Sequence, residues 1–223
     1  MPAYATRNER LSVGGHTYRL RILSDKQQFS DADGHRARMG ISTAQWSLFG
    51  QLWPSERLLA QAMHRFAVDG KRILELGCGI GLASLVLRRR GADIVASDAH
   101  PLAESFLAYN AALNALPAVD YRRLPWDTPE PSIGHFDVII ANDVLYEPAQ
   151  ALLVAEIIKR HAYPSAEVVM TDPGRSHSES FSQLLANQGF VLTEERCPMD
   201  DRDAPPYRGN LLHYTRHWET TCT

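Results

Sequence analysis

The sequence predicts an α/β protein built on a doubly wound, mostly parallel sheet that closes with an antiparallel strand pair. Three observations lead there. The runs KRILELG (71–77), ADIVASD (92–98), FDVIIAND (136–143) and AEVVMTD (166–172) are short, β-branched and apolar on both faces, as strands buried between two helical layers are. Segments with helical periodicity lie between them, an order that demands right-handed crossovers. The last part of the chain breaks this rhythm, because GFVLTEERC (189–197) and NLLHYTRHW (210–218) are strand-like with no helix between them.

In chain order, VGGHTYRLRIL (13–23) alternates polar with apolar residues and predicts a β hairpin, followed by polar, irregular residues 24–45. Residues 1–45 are therefore read as an N-terminal extension and 46–223 as the main domain. Leu58, Leu59, Ala62, Met63 and Phe66 share one helical face, as do Leu102, Phe106, Tyr109, Leu113 and Leu116. Arg88, Arg89 and Arg90 suit the last turn of a helix, where the dipole favours cations. VDYRRL (119–124) is polar enough for an edge strand. A helix is expected from Pro148 to about His161, and another carrying Phe181, Leu184 and Leu185 is closed by Gly189. The final two strands should pair antiparallel across a loop holding Pro205 and Pro206.

Size and composition narrow the function. A chain of 223 residues, 44% hydrophobic, can bury a full core, and a formal net charge of −3 lacks the positive field of a nucleic-acid binder. Cys78, Cys197 and Cys222 are scattered and supply no zinc-ligand spacing. His213 and His217 fall on a strand pattern, so no metal is expected. No apolar run reaches membrane-spanning length and the N-terminus lacks a signal-peptide layout, so a cytoplasmic protein without membrane contact is expected.

The stretch ILELGCGIGLAS (73–84) carries the chemistry. A strand entering a glycine-rich turn and then a helix offers backbone N–H groups to a ligand where side chains would block it. The dinucleotide fingerprint G-x-G-x-x-G does not fit, because the third position is Leu82 or Ser84 according to which glycine starts the count. Instead Glu75 precedes Gly77, Cys78, Gly79 and Gly81, and Asp98 closes the next strand. An acid at that second strand end can accept the hydroxyls of a ribose. Glu75 suits a ligand bearing positive charge better than a pyrophosphate. Cys78 reads as a small residue that the turn needs, not as a nucleophile.

E-x-G-x-G-x-G followed by an acid at the next strand end resembles the class I, seven-stranded, Rossmann-like S-adenosylmethionine-dependent methyltransferases. The resemblance implies S-adenosylmethionine as cofactor and S-adenosylhomocysteine as product. FDVIIANDVLYE (136–147) delivers Asn142, Asp143, Tyr146 and Glu147 to the same crevice edge. Its D-x-x-Y is similar to that of the family-16 group of protein lysine methyltransferases, and Asp143 and Tyr146 then become the residues that orient the acceptor amine. On residues alone, Asp143 capping the next helix with Tyr146 packed on it is an equal reading. LWPSERLLAQAM (52–63) resembles the Leu-Trp-Pro segment of that family, which implies Trp53 against the cofactor. LPWD (124–127) resembles its Trp-containing turn, which implies Trp126 beside the adenine, and the same resemblance implies that Ala141 occupies the family position whose backbone touches the cofactor. VVMTDPGRSH (168–177) is closest to the electron transfer flavoprotein β-subunit branch.

These residues imply an N-methyltransferase acting on a lysine of a protein substrate, as a monomer or weak dimer. The alternatives are a small-amine N-methyltransferase, a binding module that keeps the fold without turnover, and a nicotinamide-dependent oxidoreductase. NDVLY has no proline pair, which counts against adenine and glutamine-amide acceptors. Trp46 and Phe49 read equally as a lid over the acceptor channel or as a hydrophobic staple.

Overall fold

The computed structural model of the chain describes residues 4–24, 34, 38, 41–128, 133–199 and 207–217. Strands β1 (Thr6–Val13) and β2 (His16–Leu23) form the N-terminal hairpin. Helices α1 (Thr43–Leu48) and α2 (Pro54–Arg65) lead into β3 (Arg72–Leu76), α3 (Leu82–Arg89), β4 (Asp93–Asp98), α4 (Ala103–Leu113), β5 (Asp120–Arg123) and β6 (Phe136–Asn142). The chain continues through α5 (Gln150–His161), β7 (Ala162–Asp172), α6 (Ser178–Asn187), β8 (Val191–Met199) and β9 (Tyr207–Arg216).

The seven-stranded sheet runs β5-β4-β3-β6-β7-β9-β8, parallel from β5 to β7 and antiparallel where β9 inserts between β7 and β8. The expected tail pair is therefore present, although Pro205 and Pro206 lie outside the described residues. The strand order reverses at β3 and β6, which opens a crevice beyond their carboxyl ends.

Alternation along the strands feeds two cores. Ile73, Ile94, Val138 and Ile140 face α2, α3 and α4, whereas Leu74, Val95, Ile139 and Met170 face α5 and α6. The hairpin belongs to the first core. Its turn, Gly14 and Gly15 at φ 57° and 80°, has the double positive φ of a two-residue primed turn. Its inner face, including Val13, Tyr18, Leu20 and Ile22, packs into the cluster built by α2, α3 and α4. A two-stranded ribbon alone is marginal in water, so this packing is what holds it.

Two expectations need correction. Tyr109 does not face inward on α4 and is 44% exposed, because the helix buries Ala103, Phe106, Leu107, Asn110 and Ala111 instead. The reason is polar: Asn110, fully buried, accepts the Arg21 amide at 2.7 Å and donates to the Ile80 carbonyl at 3.0 Å, tying α4 to β2 and to the glycine turn. The Arg21 guanidinium then covers the Phe106 and Tyr109 rings at 4.2 Å each. Strand β7 also starts earlier than expected, at Ala162, with a register shift opposite Phe136 and Val138.

Asn110→Ala leaves a buried amide and a buried carbonyl unsatisfied, and should lower unfolding stability by about 2 kcal/mol in a denaturant titration. A loss within error of zero would mean that the hairpin is not anchored through this side chain.

Candidate active site

The three glycines after β3 do different work. Gly81 is the N-cap of α3 at φ 86°, and a Cβ there would lie 2.3 Å from Leu107 Cδ1, so it is a packing glycine. Gly77, at φ 65°, sits against Val144 Cγ1 and Trp126 Cζ2, which a Cβ would meet at 3.2 and 3.5 Å. Gly79, at φ 54°, would meet nothing within 4 Å. Its face is open to a cleft of about 280 Å³ that runs along the carboxyl ends of β3, β4 and β6.

Asp98 fixes this turn to the neighbouring strand. Its Oδ2 accepts the Gly79 amide at 2.8 Å and its Oδ1 accepts the His100 amide at 2.8 Å. Burial pushes the Asp98 carboxyl above its ordinary range, and the backbone donors pull it back. Glu75, 1% exposed, accepts the Ser84 hydroxyl, and burial raises its pKa to about 7. Beside it stands an acid that sequence reasoning missed. Glu56, 3% exposed in the first turn of α2, accepts the Leu82 amide at 3.0 Å, and burial followed by repulsion from Glu75 raises it to about 8. Its only signal in the sequence was an acid in the first turn of a helix, ordinarily a solvated dipole partner.

The far wall comes from β6 and the turn after β7. Asp143 adopts a left-handed φ of 47° and donates its amide to the Thr171 carbonyl at 2.9 Å. Its two carboxylate oxygens accept Nε and Nη2 of Arg175 at 2.8 Å each. Arg175 is in turn set by Asp172, whose oxygens accept its amide at 3.1 and 3.3 Å and the Ser178 hydroxyl at 2.6 Å. Asp143 thus reaches the cleft with its charge already paired to a guanidinium, a partner that its own sequence neighbourhood does not indicate. Burial holds the Asp143 carboxyl above its usual value even so. Asn142 accepts the Thr171 hydroxyl at 2.9 Å, and Glu147 accepts the Ser42 hydroxyl at 2.6 Å.

An aromatic wall closes the third side. Phe49 stacks on His100 with centroids 3.9 Å apart and planes 3° from parallel, and Trp46 lies 4.7 Å from the same imidazole. Burial lowers His100 to about 3, so the ring is neutral, and its Nδ1 accepts the Leu102 amide at 3.2 Å. Trp53 precedes α2 and donates Nε1 to the Leu48 carbonyl at 3.1 Å.

The cleft brings together Trp53, Glu75, Gly77, Cys78, Gly79, Asp98, Trp126, Asp143 and Tyr146. Gly81 and Ala141 do not line it: Gly81 packs on α4, and the Ala141 side chain is buried in the second core. Besides Glu56, the lining residues not given a role beforehand include Arg175, Gln150 and the Ile41–Ser42 segment.

The buried acids set a pH dependence. An unfolded glutamate ionises near ~4.3, whereas folded Glu75 and Glu56 hold their protons to about 7 and 8. The folded state binds more protons across that interval, so the stability they contribute is full at low pH and is lost as pH rises through 7 to 8. Ligand-free protein should melt at progressively lower temperature from about pH 5 to about pH 9, and Glu56→Gln should flatten the slope. A melting temperature rising over that range would contradict the burial of these carboxyls.

Comparison with known proteins gives the same picture. The family model described as lysine methyltransferase matches residues 39–188. Histone-arginine methyltransferase METTL23 of Homo sapiens is 29% identical over 150 residues, covering 60% of this chain and 75% of the relative. The electron transfer flavoprotein beta subunit lysine methyltransferase of Xenopus laevis is 29% identical over 147 residues, covering 62% of this chain but only 56% of the relative. Among solved structures, the ribosomal protein L11 methylase of Lactobacillus delbrueckii subsp. bulgaricus superposes with a TM-score of 0.58 at 19% identity, over 74% of this chain and 79% of that one, a likeness of fold.

Proposed function

The chain belongs to the lysine methyltransferase family, and from that premise we propose that it transfers a methyl group from S-adenosylmethionine to a lysine side chain of a protein. The observation that carries this reading is the open face of Gly79 beside three acids, Glu56, Glu75 and Asp98, in one cleft. Bare backbone admits a nucleoside, and buried carboxylates suit a ligand that brings positive charge.

The residues fit the cofactor. Asp98 keeps lone pairs for ribose hydroxyls after accepting the Gly79 and His100 amides. Glu75 and Glu56 would hold the ammonium end, Gly77 and Cys78 would admit it, and Trp53 and Trp126 would bound the remainder. Gly81 and Ala141 serve from behind, by shaping the turn and the strand. When bound, the cofactor supplies an activated methyl group on a sulfonium, which departs as a neutral thioether.

What the chain must add is position and a free lone pair on the acceptor nitrogen. A lysine amine ionises near ~10.4 and is almost wholly protonated at neutral pH. Asp143 presents the lone pairs that Arg175 leaves unused, which can accept an N–H and fix the nitrogen. The Arg175 guanidinium at 2.8 Å from that carboxylate disfavours a second cation there, and so favours the amine in its neutral form. Tyr146, on the same wall, would complete the orientation of the amine.

The test is to incubate the protein with cofactor carrying a labelled methyl group and a cell lysate, then hydrolyse the labelled material. Label in a protein band, released as methyl-lysine, is expected. Label released as methylarginine would replace the acceptor, and label in small molecules would establish the small-amine alternative. Asp143→Ala should cut labelling by roughly a hundredfold while S-adenosylhomocysteine still binds nearly as well. Equal loss of both would make Asp143 a scaffold residue.

A further inference from the structure

The cleft contains one buried acid more than a single ammonium requires. Glu56 and Glu75 come from different elements, α2 and β3, and both line the cleft while being almost fully buried. Each spends hydrogen-bonding capacity on a neutral donor, the Leu82 amide at 3.0 Å for Glu56 and the Ser84 hydroxyl for Glu75. Among the described residues neither forms an ion pair. Arg57, next along α2, points its guanidinium to Glu9 at 3.6 Å. Arg57 still exerts a weak attraction on Glu56, the smallest of the influences on it, and the Trp53 amide also supports that carboxyl; the other groups that face the pair are acidic or neutral, Asp98 from β4 and the Cys78 thiol from the turn. A carboxylate in such surroundings is costly unless it keeps a proton or meets a cation.

Resting on the reading of this cleft as the cofactor site, we infer that Glu56 is a specificity-determining residue: with Glu75 it forms a carboxylate pair that favours the cationic methyl donor over its neutral thioether product. The two ligands share the ammonium, the carboxylate and the nucleoside, and differ by one methyl group and one positive charge. Because the ammonium is common to both, a second carboxylate in a poorly solvated site distinguishes the two ligands through that charge difference. The same pair makes donor binding proton-coupled. At neutral pH the two acids retain a proton; the ammonium that both ligands bring displaces part of it, and the sulfonium that only the donor brings displaces more of it to solvent. After methyl transfer the sulfur is neutral, the pair recovers a proton from solvent, and the product is held less tightly. The site thus discharges its product when the charge has gone. Burial places the ionisation of both acids, about 7 and about 8, where this exchange takes place near neutrality.

The test is calorimetric titration of S-adenosylmethionine and of S-adenosylhomocysteine into the protein and into Glu56→Gln. It is run at about pH 6 and about pH 8.5, in buffers of different ionisation heat, so that released protons are counted. Gln is chosen because its carbonyl can still accept the Leu82 amide while the change removes the charge. In the unaltered protein the preference for donor over product should grow about tenfold across this range, with more protons released on donor binding than on product binding. In Glu56→Gln the preference should fall about tenfold at the higher pH, and the proton release should shrink with it.

If Glu56→Gln keeps both the preference and the proton count, the inference fails while the cofactor reading stands. Equal weakening of both ligands makes Glu56 a scaffold residue and overturns it as well. If neither ligand binds the unaltered protein, the inference and the cofactor reading fall together. Should the variant not fold, the pH dependence and proton count of the unaltered protein decide alone, a flat preference with equal proton release for the two ligands being the contrary result.

Discussion

The turn that leaves β3 must be free of side chains and still hold its shape, and the bond that fixes it is Asp98 Oδ2 accepting the Gly79 amide at 2.8 Å. Glycine gives the turn its positive φ angles but also gives it the most conformational freedom to lose. Asp98 removes that freedom from the neighbouring strand, and the Cys78 amide donates to the Ser97 carbonyl at 2.9 Å in the same place. Asn110 holds the other side through the Ile80 carbonyl. The open face of Gly79 is therefore a fixed opening, and the groups that fix it also make the cleft acidic.

Everything around the cleft follows from the order of the sheet. The reversal between β3 and β6 separates the two crossover layers, so that the loops after β3, β4, β6 and β7 converge on one edge. The layer on one face carries the hairpin, α2, α3 and α4, and α2 supplies Glu56; the aromatic wall comes from α1, the residue that follows it and the loop after β4. The other carries α5 and α6, which back the Asp143 turn. An acidic end and a charge-paired end result: buried carboxylates at the glycine turn, and Arg175 clamped onto Asp143 opposite.

Much of this was legible in the sequence because it rests on local pattern. Apolar runs of strand length, the glycines and the acids beside them name β3, β4 and β6, and the broken rhythm of the tail names the β8–β9 pair. What was not legible rests on contacts distant in sequence. Asp143 meets Arg175, 32 residues on, and no local pattern reports that its charge is already matched. Glu56 reads as an exposed first-turn acid until α2 is laid against the turn at Leu82, 26 residues away. Tyr109 sits outward because Asn110 is drawn inward by the hairpin, a polar preference that an apolar periodicity does not contain. Gly81 and Gly79 look alike in sequence, and only the Leu107 side chain distinguishes the packing glycine from the one that opens on the cleft.

The most direct measurement is the crystal structure of the protein grown with S-adenosylhomocysteine. The account predicts a nucleoside lying across the Gly77–Gly79 backbone, with its ribose hydroxyls on Asp98 and its amino end toward Glu75 and Glu56. A ligand bound elsewhere on the molecule, or a glycine turn that folds inward and leaves no room beside Gly79, would contradict it.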